Sequence, residues 1–414
     1  MSVPAVSSSS STAVPIVAAR AAQWMWNHRA WIGAGVTAAI AAKYLIAQAA
    51  AGHTQAQRPA GEEKAAAVVA AKGTSMCPSV SLKVDKTLFP ARIPSASVPG
   101  LQLYTRAWRV ASPRAVVFVL HGYGEHIGRY EALAATLNSI GCSVYGLDHL
   151  GHGQSGGDRA YVERLHHYVE DALSFIEHVQ QGDEFKQNKS KPPAFLFGHS
   201  MGGLLATLVM QASYTPDVAA SAAAPVTSPV SAVPSAVPQF PLAELQQRWR
   251  GRLWPWRGCV LSAPALAPHP KDAQPALQPI ALFLSRHFPK LQLTGLETSG
   301  ISRSPAVVAH YRADQLNWHG RMRARWAVEM MSGMECVQNQ LAQGQIRFPM
   351  LIIQGTVDRL VDPRAPPLLH AGSRAQDKTL REWEGGYHEL LNDAITQQEA
   401  AQQIREWIDK RIAQ

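Results

Sequence analysis

Residues 193–203 read Pro-Ala-Phe-Leu-Phe-Gly-His-Ser-Met-Gly-Gly, an apolar run that stops at a serine between glycines. A helical stretch follows, from Leu204 to Gln211. Together they match the G-x-S-x-G nucleophile elbow, in which a sharp strand-to-helix turn holds the serine in strained backbone angles. We predict that Ser200 Oγ stands above the sheet edge. The N-terminus of the helix then offers N–H groups to a developing negative charge.

The composition fits one large folded domain with additional segments. The chain has 414 residues, of which 46% are hydrophobic and 17% are charged. Part of the net charge of +9 comes from residues 1–61, which contain no Asp or Glu. No run of Lys and Arg with interleaved aromatic residues indicates nucleic acid as a partner. The four cysteines are scattered without a C-x-x-C pair, which favours free thiols in a reducing compartment.

Residues 1–79 are predicted to be a targeting or anchoring segment and linker, and residues 80–414 the folded domain. An acid-free terminus rich in Ser and Ala, with scattered Arg, is typical of a transit peptide to a plastid or mitochondrion. Residues 30–51 alternatively have the length of a membrane span, although Lys43 lies inside them, or of an interfacial helix. A plain extension is the third interpretation. We expect an intracellular, membrane-associated protein.

Short apolar runs alternate with helical patterns through the rest of the chain. Because these runs are almost continuously apolar, they indicate strands of a mostly parallel sheet that is buried on both faces. The fold class is therefore α/β, with helices on both faces of a central sheet. The predicted strands are 101–108, 115–120, 143–148, 194–198, 259–263, 350–354 and 379–383, and the predicted helices are 130–140, 162–180, 203–212 and 394–412.

A low-complexity insert at residues 213–257 interrupts this alternation. It follows a helix and precedes a strand, so it falls at the sheet edge away from the nucleophile. We therefore interpret it as a loop and not as a lid. Its end carries Trp249, Trp254 and Trp256 among arginines. Ordinary packing is the preferred interpretation of these tryptophans, and a membrane-contacting patch is the alternative.

A second interruption, residues 265–334, follows the carboxyl end of a strand. Ligands of open α/β sheets bind at that end, so this segment is predicted to be a lid or cap over the site. Four apolar residues recur in it at spacings that suit one face of a helix. They indicate an apolar lid helix, with internal packing as the alternative: Ile280, Phe283, Leu284 and Phe288.

A serine nucleophile needs a general base, and His388 is the candidate. It lies in a glycine-rich turn after the last predicted strand, which places it at the same sheet edge as Ser200. The acid that orients the histidine should end the preceding strand, where Asp358 stands. Asp362 is the rival candidate, but it lies further from the strand end and suits a cap or turn before Pro363.

The oxyanion hole requires two backbone N–H donors, and the sequence offers Tyr123 and Met201. Met201 follows the nucleophile, and Tyr123 lies in His-Gly-Tyr-Gly at the end of the strand 115–120. Such a turn lets the backbone swing under the nucleophile. Residues 148–155, although rich in His and Asp, are interpreted as a structural loop that braces the site. We expect neither a metal nor a cofactor, because serine chemistry needs none.

These blocks together resemble the monoacylglycerol lipase family of α/β-hydrolases over residues 95–412. The resemblance implies an α/β-hydrolase fold with a helical lid, the triad already named, and N–H donors from Tyr123 and Met201. It also places Glu125, Arg129 and Tyr311 near the glycerol-binding end. Tyr123 departs from the small residue common in the family. The matching blocks are 121–126, 128–130, 148–155, 198–203, 354–362 and 386–390.

We therefore predict a serine hydrolase that cleaves the ester of a monoacylglycerol through an acyl-enzyme. A lysophospholipase or an acyltransferase with the same triad is the alternative, and a non-catalytic receptor is a rival from another class. Epoxide hydrolases and dehalogenases have an aspartate at the elbow, which disfavours them. The expected partner is a lipid, namely monoacylglycerol or lysolipid, with peripheral contact to a membrane or lipid droplet.

Overall fold

The computed structural model describes residues 92–186, 191–215 and 237–413. The predictions for residues 1–79 and for residues 216–236 of the low-complexity insert lie outside these residues. The strands are β1 (Arg92–Pro94), β2 (Gln102–Trp108), β3 (Ala115–Leu120), β4 (Cys142–Leu147), β5 (Ala194–His199), β6 (Trp256–Ser262), β7 (Gln292–Gly295), β8 (Arg321–Arg323), β9 (Met350–Gly355) and β10 (Lys378–Trp383). The α-helices are α1 (Glu131–Asn138), α2 (Leu165–Gln180), α3 (Asp183–Lys186), α4 (Met201–Ser213), α5 (Leu242–Trp249), α6 (Gln278–His287), α7 (Pro305–Ala313), α8 (Ala324–Ala342), α9 (Ala365–Gly372) and α10 (Gln397–Ile412).

Eight of the strands form one sheet in the order β1-β2-β4-β3-β5-β6-β9-β10. Strand β2 runs antiparallel to both of its neighbours, and the pairs from β4 to β10 are parallel. The seven predicted strands are confirmed, as is the mostly parallel sheet. Because the strands β3, β5 and β9 are parallel, their carboxyl ends meet at one edge, where the candidate residues follow.

The central strands of the sheet are buried along their whole length. All six residues of β3, of β4, of β5 and of β9 are buried. Helices α1 and α10 contact each other, and α2, α5 and α8 all contact α4. This covering explains why the sequence shows continuous apolar runs in place of alternation. None of the helices in the described residues combines the length and hydropathy needed to cross a bilayer.

The end of the predicted insert belongs to the folded domain. Residues 242–249 form α5, and Trp256 opens strand β6. The side chains of Trp249, Trp254 and Trp256 are 4%, 1% and 6% exposed, respectively. The rings of Trp254 and Trp256 both pack 6.1 Å from that of Phe118 in the sheet. Ordinary packing is therefore the right interpretation of these tryptophans, and the membrane-contacting patch is wrong.

The segment predicted to be a cap, called the cap below, comprises α6, α7, the strands β7 and β8 and the start of α8. Within the part of the chain that the structure describes, strands β7 and β8 pair only with each other. The apolar residues predicted to share one helix face differ in exposure. Leu284 is buried, whereas Phe283 in α6 and Phe288 directly after it are 56% and 55% exposed. Internal packing is therefore wrong for these two phenylalanines. Helix α8 crosses the predicted boundary at 334 and contacts both α6 and α4, so it joins the cap to the core.

Candidate active site

Ser200 occupies a strained turn between β5 and α4. Its backbone φ of 53° and ψ of −119° lie in a region that residues with a Cβ rarely adopt. The turn closes only because its neighbours are glycines. A Cβ on Gly198 would lie 2.2 Å from the Gly202 oxygen, and one on Gly202 would lie 2.0 Å from the Leu120 oxygen. The sequence therefore holds Ser200 at the sheet edge through backbone packing.

Asp358 and His388 form a buried hydrogen-bonded pair at the same edge. Asp358 follows β9, and His388 lies in the loop after β10. The distance from His388 Nδ1 to Asp358 Oδ2 is 2.7 Å. The other carboxylate oxygen, Oδ1, accepts hydrogen bonds from the N–H groups of Leu360 (2.8 Å) and Val361 (3.1 Å). The carboxylate is thus fixed by the backbone, and it fixes the imidazole in turn.

The electrostatics of this pair favour a charged imidazole. Burial acts to lower the pKa of His388, but attraction to the Asp358 carboxylate outweighs it and raises the pKa above the usual 6.5. Burial likewise acts to raise the pKa of Asp358, and His388 and the two backbone donors hold it below its usual range. An imidazolium that forms during a reaction is therefore stabilised where it stands.

Ser200 and His388 line one small cavity beneath the cap. The cavity has a volume of about 70 Å³, and the cap contributes Leu296, Ile301 and Tyr311 to its wall. Among the described residues, no hydrogen bond joins Ser200 Oγ to the imidazole, a geometry common in enzymes without substrate. Pockets that enclose drug-sized ligands measure about 300–1,000 Å³. The cavity is therefore smaller than such pockets.

Of the two expected oxyanion donors, Tyr123 lines this cavity, and Met201 directly follows Ser200, which also lines it. Met201 is the first residue of α4, and Tyr123 lies in the turn after β3. Within the described residues neither N–H has an acceptor on the protein. The side chain of Tyr123 is buried, and its ring lies 3.9 Å from the ring of Trp326 in α8. The large residue that departs from the family pattern is thus accommodated by an aromatic partner from the cap.

Glu125 and Arg129 belong to a buried charge cluster. The guanidinium of Arg129 contacts Glu125 and donates to both carboxylate oxygens of Glu389, at 2.8 and 2.7 Å. Tyr130 donates to Glu125 at 2.6 Å. Glu125 and Glu389 line the cavity, whereas Arg129 is not among its lining residues. The guanidinium of Arg129 is thus engaged by two carboxylates and holds them in place.

Tyr311, the third residue of the predicted glycerol-binding end, lines the cavity and donates to the carbonyl of Gly124 at 2.9 Å. Asp362, the rival acid, pairs with the guanidinium of Arg364 at 2.8 Å and accepts from the Arg364 N–H. It therefore stabilises a turn, as its position before Pro363 suggested. For Glu125, Arg129 and Tyr311 a role in substrate binding remains a prediction.

Asp148 braces the site, as the sequence indicated. Its carboxylate accepts from the N–H groups of Ile127 and Gln154, both at 2.7 Å. Sequence reasoning assigned no role to Glu389 or to Trp326. Glu389 directly follows the candidate base, which was an available signal. Trp326 had none, because its contact with Tyr123 joins residues about 200 positions apart.

A strained serine at an elbow and a buried Asp–His pair at one edge of a mostly parallel sheet define a serine hydrolase of the α/β-hydrolase fold. Residues 111–257 and 254–395 match the family model described as serine aminopeptidase S33, the Hydrolase_4 family. The chain belongs to this family.

Several proteins similar to this chain are monoacylglycerol lipases. The chain is 30% identical to human monoglyceride lipase over 334 residues, which covers 78% of this chain and 94% of the human protein. It is 29% identical to a monoacylglycerol lipase from Mycolicibacterium smegmatis, over 72% of this chain and 90% of that protein. Among solved structures, the Paleococcus ferrophilus monoacylglycerol lipase is similar with a TM-score of 0.57 and 27% identity, covering 75% of this chain and 99% of that one.

Proposed function

We propose that this protein hydrolyses the ester bond of monoacylglycerols, with Ser200 as nucleophile, His388 as general base and Asp358 as the acid that orients the base. One observation carries the proposal: the Asp358–His388 pair, joined at 2.7 Å, lines the same cavity as the strained Ser200. Identity of 30% to a monoglyceride lipase supports the substrate class. No cofactor takes part.

The reaction proceeds in two halves. Ser200 Oγ attacks the ester carbonyl while His388 Nε2 takes its proton. The resulting oxyanion accepts hydrogen bonds from the N–H groups of Tyr123 and Met201. The carbon–oxygen bond to glycerol then breaks, and His388 returns the proton to the leaving oxygen. Water next attacks the acyl-enzyme and gives its proton to His388. Collapse frees the fatty acid and restores the Ser200 hydroxyl.

A substrate panel tests this proposal. Wild type and Ser200→Ala are compared on monoolein and on lysophosphatidylcholine, each with and without an alcohol acceptor. We expect release of oleic acid from monoolein by wild type alone. Preference for lysophosphatidylcholine, or transfer of the acyl group to the alcohol, indicates the alternative activities. Failure of a fluorophosphonate probe to label Ser200 in folded protein indicates a non-catalytic receptor and refutes the proposal.

The cap is the part of the protein that contacts the lipid surface. Its exposed apolar residues support this contact, because patches of large apolar side chains mark interaction sites. Phe283 and Phe288 are more than half exposed, and Leu277 and Leu291 are 37% and 39% exposed. Contact with an apolar surface near α6 would also favour movement of the cap.

Vesicle binding separates this contact from catalysis. Phe283→Ser with Phe288→Ser should weaken binding to phosphatidylcholine vesicles by about tenfold or more, since burial of one phenylalanine contributes about 2 kcal/mol. Hydrolysis of a soluble short-chain ester should not change. Ile395→Ser is the matched control, because Ile395 is 74% exposed but lies outside the cap. Equal binding by all three proteins contradicts the proposed contact.

Localisation within an organelle or at a membrane depends on residues 1–79. Support comes from their acid-free composition up to residue 61. A fusion of residues 1–79 to a fluorescent protein, compared with residues 80–414 alone, tests whether this segment directs the protein to an organelle or a membrane. Diffuse distribution of both fusions refutes the expectation.

A further inference from the structure

His121 lies at the end of β3, directly before the residues of the oxyanion turn. Its imidazole is fully buried and makes two hydrogen bonds with backbone groups. Nε2 lies 2.9 Å from the N–H of His149, and Nδ1 lies 2.8 Å from the carbonyl oxygen of Gly122. A backbone N–H can only donate, so Nε2 must be the acceptor. Nδ1 therefore carries the proton and donates to the Gly122 carbonyl.

This bond fixes the direction of the Tyr123 N–H. The carbonyl of Gly122 and the N–H of Tyr123 belong to one planar peptide group, which is trans. In a trans peptide the two bonds point in opposite directions, so the imidazole that holds the oxygen also aims the N–H away from itself. The peptide before Gly122 is held as well, because its N–H donates to Glu125 at 2.6 Å.

The turn lies against the nucleophile. A Cβ built on Gly122 would be 3.2 Å from the Cβ of Ser200. A rotation of the Gly122–Tyr123 peptide would therefore move the donor relative to the reacting carbonyl. Oxyanion stabilisation depends on donors that are already in position when charge develops.

We propose that His121 is a positioning residue that orients the Tyr123 N–H toward the oxyanion of the reaction intermediate. This inference rests on the proposed function of Ser200. The neutral imidazole that it requires fits the surroundings. Burial and the neighbouring His152 lower the pKa of His121 to about 3, against the attraction of Glu125. His121 thus keeps one donor and one acceptor throughout the pH range in which His388 can act as a base.

The competing role is purely structural, since His121 also ties the turn after β3 to His149 after β4. Two amide variants separate the roles, because each replaces one nitrogen. His121→Asn places an amide where Nδ1 stands, so it can donate to the Gly122 carbonyl but falls short of His149. His121→Gln reaches the position of Nε2 near His149 but leaves the Gly122 carbonyl without its donor.

The experiment measures kcat and KM on a soluble short-chain ester for both variants, for His121→Ala and for Ser200→Ala. We expect His121→Gln and His121→Ala to lower kcat by about 10- to 100-fold, less than the full loss of one donor. KM should change little, and His121→Asn should retain kcat within about fivefold of wild type. A trifluoromethyl ketone, which forms an oxyanion at the serine, should lose affinity in parallel with kcat. Thermal unfolding reports the structural link to His149.

The outcomes are distinguishable. Equal losses of kcat in folded Asn and Gln variants, or losses that follow the melting temperature and spare ketone affinity, overturn the positioning role. If the Gln variant does not fold, an Asn variant that is folded and as inactive as Ala overturns it equally. Activity in Ser200→Ala would instead refute the proposed function itself, whatever the His121 variants do.

Discussion

The exchange of Asp358 for asparagine should abolish most activity by reversing the tautomer of His388. Asp358 Oδ1 accepts from two backbone N–H groups, those of Leu360 and Val361. In Asp358→Asn the amide oxygen should take this position, since an NH₂ group there would face two backbone donors that cannot reorient. At the Oδ2 position the amide of Gln354, which donates to Oδ2 at 3.2 Å, can turn to present its oxygen. The NH₂ group then takes the place of Oδ2 and faces His388 Nδ1, which lies 2.7 Å away in the native pair.

As a result, the free lone pair of His388 lies on Nδ1 and not on Nε2, which should accept the proton of Ser200. To accept from the amide, Nδ1 must lose its proton, and the proton moves to Nε2, where it blocks transfer from Ser200. A serine hydrolase with this reversal loses about 10⁴-fold in kcat. That loss corresponds to about 5.5 kcal/mol of transition-state stabilisation. Because the amide keeps the backbone bonds, we expect the melting temperature to change far less than activity.

The assay is steady-state hydrolysis of a soluble ester by Asp358→Asn and by the matched variant Asp362→Asn. Both aspartates are 2% exposed, but Asp362 pairs with Arg364 and not with the histidine. We therefore expect Asp362→Asn to retain kcat within about tenfold of wild type, as an exchange outside the reacting atoms should. If Asp358→Asn keeps a tenth of wild-type kcat, or if the Asp362 variant loses as much, the assignment of the acid is wrong.

Three further changes test the site. Since the pKa of His388 is raised, kcat/KM should fall as the pH drops through a midpoint above 6.5, and a pH profile showing a lower midpoint contradicts this. Gly202→Ala should lower stability by several kcal/mol and abolish activity, because its Cβ would lie 2.0 Å from the Leu120 oxygen, as chemical denaturation can verify. Arg129→Met should destabilise by about 3–5 kcal/mol, since it leaves two buried carboxylates unpaired. Arg129→Lys should recover only part of this loss in the same denaturation experiment.

Much of the fold could be predicted because its signals are local. Strands such as 115–120 and 350–355 are buried on both faces and therefore read as continuous apolar runs. The sequence left alternatives open where packing is decided by distant partners. The alternative of a membrane patch arose because the sequence shows tryptophans among arginines. It does not show that Phe118, more than 100 residues earlier, provides their packing surface.

The sequence predicted those site residues that follow the end of a strand. The strand ends bring Ser200, Asp358 and His388 to one edge by topology alone, without knowledge of any contact. The ion pairs of Arg129 could not be predicted in this way. The sequence does not show that Glu389, 260 residues later, lies beside its guanidinium. Likewise, the tautomer of His121 depends on the N–H of His149, which is brought near by strand pairing.

The oxyanion turn is hydrogen-bonded both to the cap and to the core of the protein, and the two sets of bonds differ in whether they depend on the cap. From the cap, Tyr311 OH and the N–H of Trp318 both donate to the carbonyl of Gly124, at 2.9 and 2.8 Å. From the core, His121 and Glu125 hold the peptides on either side of Gly122. Because Tyr311 and Trp318 belong to the cap, any movement of the cap would break their bonds to the turn. The core bonds do not involve the cap, so they can keep the Tyr123 N–H in place while the substrate enters.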